Sequence, residues 1–356
     1  MKKRKLRIGQ ISPLNIAIPP PKYGGTERVI YNLCEGLTKR GHEVVLFGTG
    51  ADKTSAKLYP IFPKGLWSLP QESEKTSYYT YAMSKIARAA RKYQLDVLHD
   101  HLGPLALSLY GMADRIPIVH TLHVPTNNDR AAIYKLLGAR LVSISNNQRK
   151  PYPRLDYIAT VYNGVDTDIY AFHALSKEYM LFVGEMSTVK RNKGILEAIA
   201  VAEKTEKHLI VAGKVPSPNQ KEDYAAFRER VAPALKKKCV TYVGEVNEKQ
   251  LVPLYQNAKA VLFPIQWEEP FGLVMIEAMA CGTPVIAFQR GSVPEVIVDG
   301  KTGYIVSTVN EMARAVSRID QIDRGMVRKY TEDNFSKERM VDEYEKLYYE
   351  LCPKQE

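Results

Sequence analysis

Short apolar runs alternate with longer helical patterns along this chain, in two successive series. The runs lie at 6–11, 43–47, 96–99, 116–122 and 140–145, and then at 179–184, 208–213, 240–244, 260–264, 284–288 and 303–306. Such continuous apolar runs are typical of strands buried on both faces of a parallel sheet. Helical patterns lie between them at 27–40, 77–93, 194–205 and 271–280. The alternation predicts an α/β chain with doubly wound parallel sheets.

The length of the chain and one turn signal indicate two domains. A chain of 356 residues is longer than most single domains. The two series of runs meet near 161–168, where Asn163-Gly164 is a turn signal. We predict two Rossmann-like domains, 1–163 and 164–335, that face a central cleft. Ligands of open α/β sheets bind beyond the carboxyl ends of the strands, so candidate functional residues should directly follow strands.

The cysteines and the hydropathy pattern exclude several classes of protein. The four cysteines, Cys34, Cys239, Cys281 and Cys352, are scattered and include no C-x-x-C pair. Neither a disulfide framework nor a cysteine-rich zinc site is therefore indicated. The segment 8–13 after the basic N-terminus is too short and polar for the apolar region of a signal peptide, and no apolar run is long enough to span a bilayer. We expect a cytoplasmic protein.

The positive charge is concentrated in the first half of the chain. Residues 1–165 hold 24 lysines and arginines against 11 acidic residues, whereas residues 166–356 hold 26 against 28. This excess is consistent with a solvated basic surface. It is also consistent with an anionic partner, either an acidic membrane surface or a phosphate-bearing acceptor. Nucleic acid is not indicated, because the basic residues are spread along the segment without a recognisable binding motif.

Two groups of residues follow strands in the first half. Gly24, Gly25 and Thr26 open the first helical pattern, and paired glycines at a helix N-terminus can bind an anion. The alternative is that they only turn the chain and cap the helix.

Four histidines form the second group, at positions 99, 101, 120 and 123. Their spacing matches no zinc motif, and we expect one neutral imidazole to bind a sugar hydroxyl or polarise a leaving group, with the others structural.

The strongest motif lies in the second half, in the segment 264–287. Glu269 precedes Pro-Phe-Gly in the loop after a predicted strand, and Glu277 is expected about two turns into the following helix. Two carboxylates at these depths can accept hydrogen bonds from hydroxyl groups on two parts of an elongated ligand. Helix capping would account for Glu269 alone. It does not account for Glu277, because an unpaired charge within an apolar helix is costly.

These motifs closely resemble the retaining family 4 glycosyltransferases of the GT-B fold. The specific part is Glu269-x7-Glu277 with Pro-Phe-Gly-Leu between, followed by Ala-Met-Ala-Cys-Gly-Thr-Pro-Val-Ile-Ala and by Gly-Ser-Val-Pro-Glu-Val from position 291. The resemblance is more moderate at Gly24-Gly-Thr-Glu-Arg, Asp96-Val-Leu-His-Asp-His, His120-Thr-Leu-His, Asn163-Gly-Val-Asp and Lys193-Gly. It spans nearly the whole chain.

The resemblance implies a role for individual residues. Glu269 and the backbone of 271–273 would hold the sugar hydroxyls of a donor, Glu277 would bind its ribose, and His123 would lie near the transferred sugar. The helix within 336–356 would cross back to the N-terminal domain. The predicted donor-binding residues are Gly25, Lys190, Arg191, Lys193, Gly244, Glu269, Phe271, Gly272, Leu273 and Glu277; the acceptor-binding ones are Gly24, Thr26 and His101; the catalytic ones are His123 and Glu269.

One position departs from the family pattern. The family usually has Gly-Arg after the first strand of the second domain, whereas here Gly184 is followed by Glu185. The missing arginine would help to neutralise the leaving diphosphate, where negative charge develops in the transition state. We expect Arg191, or Lys190, to supply the second cation beside Lys193.

The resemblance implies transfer of a sugar from a nucleotide-sugar donor with retention at the anomeric carbon, without a metal, through an oxocarbenium-like transition state. The sequence does not separate UDP, GDP and ADP donors. The acceptor would be a saccharide, a lipid-linked molecule or a small molecule, with peripheral membrane association as one option. Two alternatives are a nucleotide-sugar 2-epimerase of the same architecture and, because of Glu185, a nucleotide-sugar-binding protein that has lost turnover.

Overall fold

The computed structural model of the protein describes residues 4–22, 24–70, 74–112 and 116–352. The chain divides into two compact units. The N-terminal unit comprises Met1–Gly164 together with Lys337–Glu356, and the C-terminal unit comprises Val165–Ser336. No helix among the described residues is both long enough and apolar enough to cross a membrane.

The strands are β1 Arg7–Ile11, β2 Glu43–Thr49, β3 Lys57–Phe62, β4 Val97–Asp100, β5 Ile118–Leu122, β6 Leu141–Ser143, β7 Tyr157–Thr160, β8 Tyr179–Val183, β9 His208–Ala212, β10 Val240–Gly244, β11 Ala260–Phe263, β12 Val285–Phe288 and β13 Gly303–Val306. The helices are α1 Gly25–Lys39, α2 Lys75–Lys92, α3 Asn128–Leu136, α4 Ile195–Thr205, α5 Lys221–Ala226, α6 Ala232–Ala234, α7 Glu248–Asn257, α8 Leu273–Ala280, α9 Val293–Val296, α10 Val309–Val316, α11 Arg324–Phe335 and α12 Lys337–Leu351.

The N-terminal unit contains a seven-stranded sheet in the order β3-β2-β1-β4-β5-β6-β7, and every pair in it is parallel. The inner strands β4 and β5 are buried at every residue, as expected for strands covered on both faces. The edge strands β3 and β7 are partly exposed, and none of the five runs of the first series covers them. Pro60 interrupts the apolar residues of β3, and β7 has only three apolar residues in succession, at 157–159.

The C-terminal unit contains a six-stranded parallel sheet in the order β10-β9-β8-β11-β12-β13. Its six strands correspond to the second series of apolar runs. The prediction of two Rossmann-like parallel-sheet units is confirmed. In each sheet the strand order reverses at one point, between β1 and β4 and between β8 and β11. Loops at the carboxyl ends of these strands are where such sheets bind ligands.

Helix α12 packs within the N-terminal unit against α1. A Cβ atom on Gly36 would lie 2.5 Å from Val341 Cγ2, so the two helices approach closely at this glycine. Arg40, the C-cap residue of α1, forms an ion pair of 2.7 Å with Asp342, and His42 lies 2.9 Å from Glu345. The C-terminal segment is thereby fixed to the beginning of the chain.

Candidate functional site

The first group of candidate residues lies in the C-terminal unit, where the loop after β8 meets the loop after β11. Lys193 Nζ and Glu269 Oε2 form an ion pair, and their side chains are only 17% and 11% exposed. The backbone of the two loops is also joined, because Gln266 N donates to Asn192 O at 3.0 Å. A cation and a carboxylate are thus held together beyond the carboxyl ends of β8 and β11. Such a pair offers donors to phosphate oxygens and acceptors to hydroxyl groups.

Glycines permit this close approach of the loops. Gly194 has φ 84°, and a Cβ atom on it would lie 2.0 Å from Pro264 O. Gly291 has φ 57°, and a Cβ atom there would lie 2.3 Å from Glu269 O. The neighbouring Ser292 donates from its backbone N–H to Glu269 O at 3.0 Å and from its hydroxyl to Phe271 O at 2.6 Å. The motif that begins at Gly291 therefore fixes the backbone that carries Glu269.

Trp267 brings two of the predicted cations to one place. Lys193 Nζ lies 5.1 Å from the centre of the Trp267 ring, and the Arg191 guanidinium carbon lies 5.8 Å from it. Both distances are within the range of a cation–π interaction. Lys190 instead lies 3.6 Å from Glu222 in a highly exposed pair. Of the two candidates for the second cation, the structure places Arg191 beside Lys193 and leaves Lys190 apart from this cluster.

The loop 186–193 is held by a buried carboxylate that the sequence did not suggest. Asp223 Oδ1 accepts from the backbone N–H groups of Val189 and Lys190, both at 3.2 Å, and from the Ser187 hydroxyl. The side chain of Glu185, in contrast, forms no hydrogen bond or ion pair with the residues that the structure describes. Its carboxylate therefore does not neutralise either Arg191 or Lys193.

Glu277 lies in α8, a little over one turn from the start of the helix. The sequence predicted about two turns, so this prediction was wrong. The helix begins at Leu273 because Gly272, with φ 80°, is its N-cap and is left-handed. Glu277 is buried, and its Oε2 accepts from the Tyr255 hydroxyl at 2.9 Å. Burial, followed by the charge of Glu277, holds the pKa of Tyr255 well above its ordinary value, so Tyr255 remains a donor. This bond explains how an apolar helix can contain the carboxylate.

Gly244 and Phe271 complete the predicted donor-binding set. Gly244 ends β10 with φ 82°, and its carbonyl accepts from Gly213 N at 2.9 Å. The ring of Phe271 is buried and packs edge-on against Phe335, with ring centroids 6.0 Å apart. Only the backbone of Phe271 is therefore available to a ligand. The N–H groups of the first turn of α8 follow directly.

In the N-terminal unit, helix α1 begins at Gly25, directly after β1 and its long loop. Gly24 is the N-cap, and a Cβ atom on it would lie 2.6 Å from Pro20 Cβ. Because the N-cap residue is a glycine, it provides no side chain to cap the helix, and Thr26 lies within α1 rather than at the N-cap position. The start of α1 thus offers first-turn N–H groups and the positive end of the helix dipole.

The four histidines have different environments. His99 is buried between the Tyr348 hydroxyl at 2.5 Å and the Thr121 hydroxyl at 2.7 Å. His120 is buried between Asp100 and the Tyr134 hydroxyl. Both are structural, as expected for some of the four. Among the described residues, no group of three or more histidine, cysteine and acidic side chains is arranged to hold a metal ion.

His101, predicted to bind the acceptor, and His123, predicted to be catalytic, contact each other. His101 Nδ1 lies 2.8 Å from His123 Nε2, and His123 is half-buried. Removal from water, helped by the nearby His120, lowers the pKa of His123 to about 3. Burial and the surrounding histidines lower the pKa of His101 as well. Both rings are therefore neutral near neutral pH and act as hydrogen-bonding groups rather than cations.

Several residues of these clusters were not predicted from the sequence. Trp267 lies within the segment 264–287, and an aromatic side chain two positions before Glu269 was the available signal. Asp223, Tyr255 and Tyr348 carry no local signal, because the residues that they contact, Ser187, Glu277 and His99, lie 22 or more positions away in the sequence.

Comparison with known proteins gives two family matches. The model described as Glycosyltransferase Family 4 matches residues 23–169, and that described as Glycosyl transferases group 1 matches residues 171–332. N-acetyl-alpha-D-glucosaminyl L-malate synthase of Bacillus anthracis is 26% identical, over 93% of this chain and 95% of that protein.

Among solved structures, a glycosyltransferase involved in avilamycin A biosynthesis matches with a TM-score of 0.73 and 23% identity, covering 98% of this chain and 99% of that one. HepE of Anabaena, solved in complex with UDP-glucose, matches with a TM-score of 0.72 and 14% identity, covering 97% and 100%. These two structures share the fold of this chain.

Proposed function

This chain belongs to glycosyltransferase family 4, with the GT-B fold, and we propose that it transfers a sugar from a nucleoside-diphosphate-sugar to an acceptor with retention of anomeric configuration. The observation that carries the proposal is the Lys193–Glu269 ion pair beyond β8 and β11, with Arg191 on the same Trp267 ring. A donor has hydroxyl groups on one side of its anomeric carbon and a diphosphate on the other. The pair provides a carboxylate for the first and a cation for the second.

Glu277 and the backbone at the start of α8 would provide the remaining contacts with the donor. Glu277 would accept from the ribose hydroxyls, with Tyr255 fixing the orientation of its carboxylate. The backbone of 271–273 at the start of α8 would donate N–H groups to the sugar or the phosphate. UDP and GDP donors are the ones to test first. The complex of the structural neighbour from Anabaena with UDP-glucose supports the choice of UDP.

The proposed reaction breaks the bond between the anomeric carbon and the diphosphate oxygen through an oxocarbenium-like transition state. The acceptor oxygen attacks from the face that the diphosphate leaves, and its proton passes to an oxygen of the departing phosphate. Lys193 and Arg191 would stabilise the charge that develops on the diphosphate, without a metal. His123, as a neutral imidazole, would bind a hydroxyl of the transferred sugar.

The acceptor would contact the N-terminal unit around Gly24, Gly25, Thr26 and His101. It would be a saccharide, a lipid-linked molecule or a small molecule; the Bacillus anthracis relative is named as a synthase of N-acetyl-alpha-D-glucosaminyl L-malate. We place the protein in the cytoplasm, with peripheral attachment to the inner membrane face as part of the proposal.

An aromatic surface of the N-terminal unit supports this attachment. Trp67 is 54% exposed and Tyr81 is 53% exposed. Tyr78 and Tyr81 pack around Phe62 at 5.7 and 6.0 Å, and Lys85 Nζ lies 5.5 Å from the Tyr81 ring. Exposed aromatic rings beside lysine suit the interface of an anionic bilayer. The Tyr81→Ser variant should co-sediment with anionic vesicles less than the wild-type protein does. If the wild-type protein bound neutral vesicles as well as anionic ones, the proposed attachment to an anionic membrane would be contradicted.

A donor panel tests the proposed function. The protein would be mixed with UDP-, GDP- and ADP-sugars, and its thermal midpoint and the released nucleoside diphosphate would be measured. We expect one nucleotide to raise the midpoint, with weaker donor binding by the Glu277→Ala variant. A rearranged donor without acceptor would indicate an epimerase, and donor binding without turnover would indicate that Glu185 marks a lost activity. Absence of any shift would contradict donor binding altogether.

A further inference from the structure

A continuous chain of hydrogen bonds in the N-terminal unit links the last helix to His123. The Tyr348 hydroxyl of α12 accepts from Gln10 Nε2 of β1 at 3.0 Å. Gln10 Oε1 lies 2.8 Å from His101 Nε2, and His101 Nδ1 lies 2.8 Å from His123 Nε2. We call these four residues the Gln10 chain. Gln10, Tyr348 and His101 are almost entirely buried.

The direction of the Gln10 chain follows from its amide. The amide nitrogen can only donate and its oxygen can only accept. Because the nitrogen faces Tyr348, the oxygen faces His101, and His101 Nε2 must carry a proton to donate. A neutral imidazole has a single N–H group, so His101 Nδ1 is bare and accepts. His123 Nε2 is then the donor to His101 and carries the one proton of its own ring.

Tyr348 is the hydrogen-bond partner of the amide nitrogen in this orientation. Its hydroxyl oxygen accepts from Gln10, so its proton is directed to its other partner, His99 Nδ1, at 2.5 Å. Burial keeps the pKa of Tyr348 well above its ordinary value, so the hydroxyl stays protonated. Tyr348 and Gln10 are 338 positions apart in sequence, and only the packing of α12 on this unit brings them together.

We propose that Gln10 and Tyr348 are positioning residues that fix the tautomer of His123, with the proton on Nε2 and a lone pair on Nδ1. Nδ1 of His123 has no hydrogen-bond partner among the residues that the structure describes. It therefore offers an acceptor to one hydroxyl group, and, if the proposed function holds, that group belongs to the transferred sugar. The C-terminal helix thus contributes to the site through a tautomer rather than through a direct contact.

The tautomer can be measured without any substrate. Full-length protein labelled with ¹⁵N-histidine would be studied near neutral pH by long-range ¹H–¹⁵N correlation, with a His123→Gln variant to assign the His123 signals. We expect the pattern of a neutral ring protonated at Nε2. A neutral ring protonated at Nδ1, or a cationic ring, would overturn the inference whether or not the protein turns over a donor.

Two tyrosines of α12 provide a matched pair of variants. Tyr344 and Tyr348 are both buried, but the Tyr344 hydroxyl bonds to Thr121 at 2.9 Å, outside the Gln10 chain. Tyr348→Phe removes the partner of the Gln10 amide nitrogen, so both tautomers of His123 should then be populated. The value of kcat/KM for the donor should fall about three- to tenfold, which corresponds to the net free energy of one hydrogen bond. Tyr344→Phe should leave the His123 signals unchanged. Equal effects of the two variants on those signals would refute the role of Tyr348.

A Gln10→Leu variant separates the chain from the packing of α12. It leaves both tyrosines in place and removes the amide, so we expect the same mixed His123 signals as for Tyr348→Phe. An unchanged Nε2 tautomer in folded Gln10→Leu protein would contradict the inference. If the proposed function fails, the donor kinetics will show no turnover in any variant, whereas the tautomer result will still be readable.

Discussion

Replacement of Lys193 by methionine tests the ion pair at the centre of the donor site. Methionine keeps most of the length of the side chain but removes the charge. Because the side chains of Lys193 and Glu269 are only 17% and 11% exposed, the variant leaves Glu269 with little water to replace its partner. Breaking a fully buried pair costs about 3–5 kcal/mol and an exposed pair about 0–1 kcal/mol. We expect a loss of about 1–3 kcal/mol in the free energy of unfolding.

The effect on turnover should exceed the effect on stability. Loss of one group that stabilises developing negative charge lowers kcat by about 10²- to 10³-fold. Turnover would be measured by release of nucleoside diphosphate, and stability by urea unfolding. Glu269→Gln breaks the same pair but keeps the cation, so it should lose a similar amount of stability while it retains binding of free nucleoside diphosphate. Lys193→Met should lose that binding.

Lys237→Met is a matched control, because Lys237 forms a 2.7 Å pair with Glu203 in the same unit but both side chains are over 40% exposed. It should change neither stability nor turnover measurably. If Lys193→Met lowered kcat less than about threefold and bound the diphosphate as well as the wild type, the assignment of Lys193 to the leaving group would be wrong.

Arg191, Tyr255 and the two neutral histidines can each be tested separately. Arg191→Ala should lower donor turnover about tenfold and Lys190→Ala much less, because only Arg191 lies over Trp267; equal effects in steady-state kinetics would count against this division. Tyr255→Phe removes the donor to Glu277 Oε2 and should weaken nucleotide binding about 3- to 30-fold by calorimetry, whereas unchanged affinity would refute the orienting role. The lowered pKa values of His101 and His123 mean that the unfolded chain takes up protons first as the pH falls below about 6.5. The free energy of unfolding should therefore be highest above about pH 6.5 and should decrease as the pH falls below that value. In urea unfolding, the His123→Gln variant should show a smaller decrease of this free energy with falling pH.

The parts of the fold that the sequence predicts are those with a local signal. Strands such as β4, β11 and β12 are buried at every residue and appear as apolar runs. The predicted runs do not include the edge strands β3 and β7, because Pro60 interrupts the apolar residues of β3 and the apolar run of β7 is only three residues long. The position of Glu277 in α8 was predicted one turn too deep, because the left-handed conformation of Gly272 delays the start of the helix.

The residues of the candidate site likewise include some with a local sequence signal and some without one. Glu269, Glu277 and Lys193 belong to local motifs and could be named from the sequence. Their partners could not, because Tyr255 meets Glu277 from another helix, and the pairing of Arg191 with Trp267 depends on how two loops meet. The choice between Arg191 and Lys190 likewise rests on the direction that the loop 186–193 gives each side chain, which Asp223 sets from a distant helix.

The most direct test of the proposed activity is the configuration of the product formed from a nucleotide sugar. The protein would be incubated with the donor that stabilises it and with saccharide, small-molecule and lipid acceptors, and the product would be isolated and its anomeric proton coupling measured by NMR. We predict release of one nucleoside diphosphate for each product, with the same anomeric configuration in product and donor. An inverted product would contradict the proposed mechanism, and a donor that binds without forming any product would contradict the proposed activity.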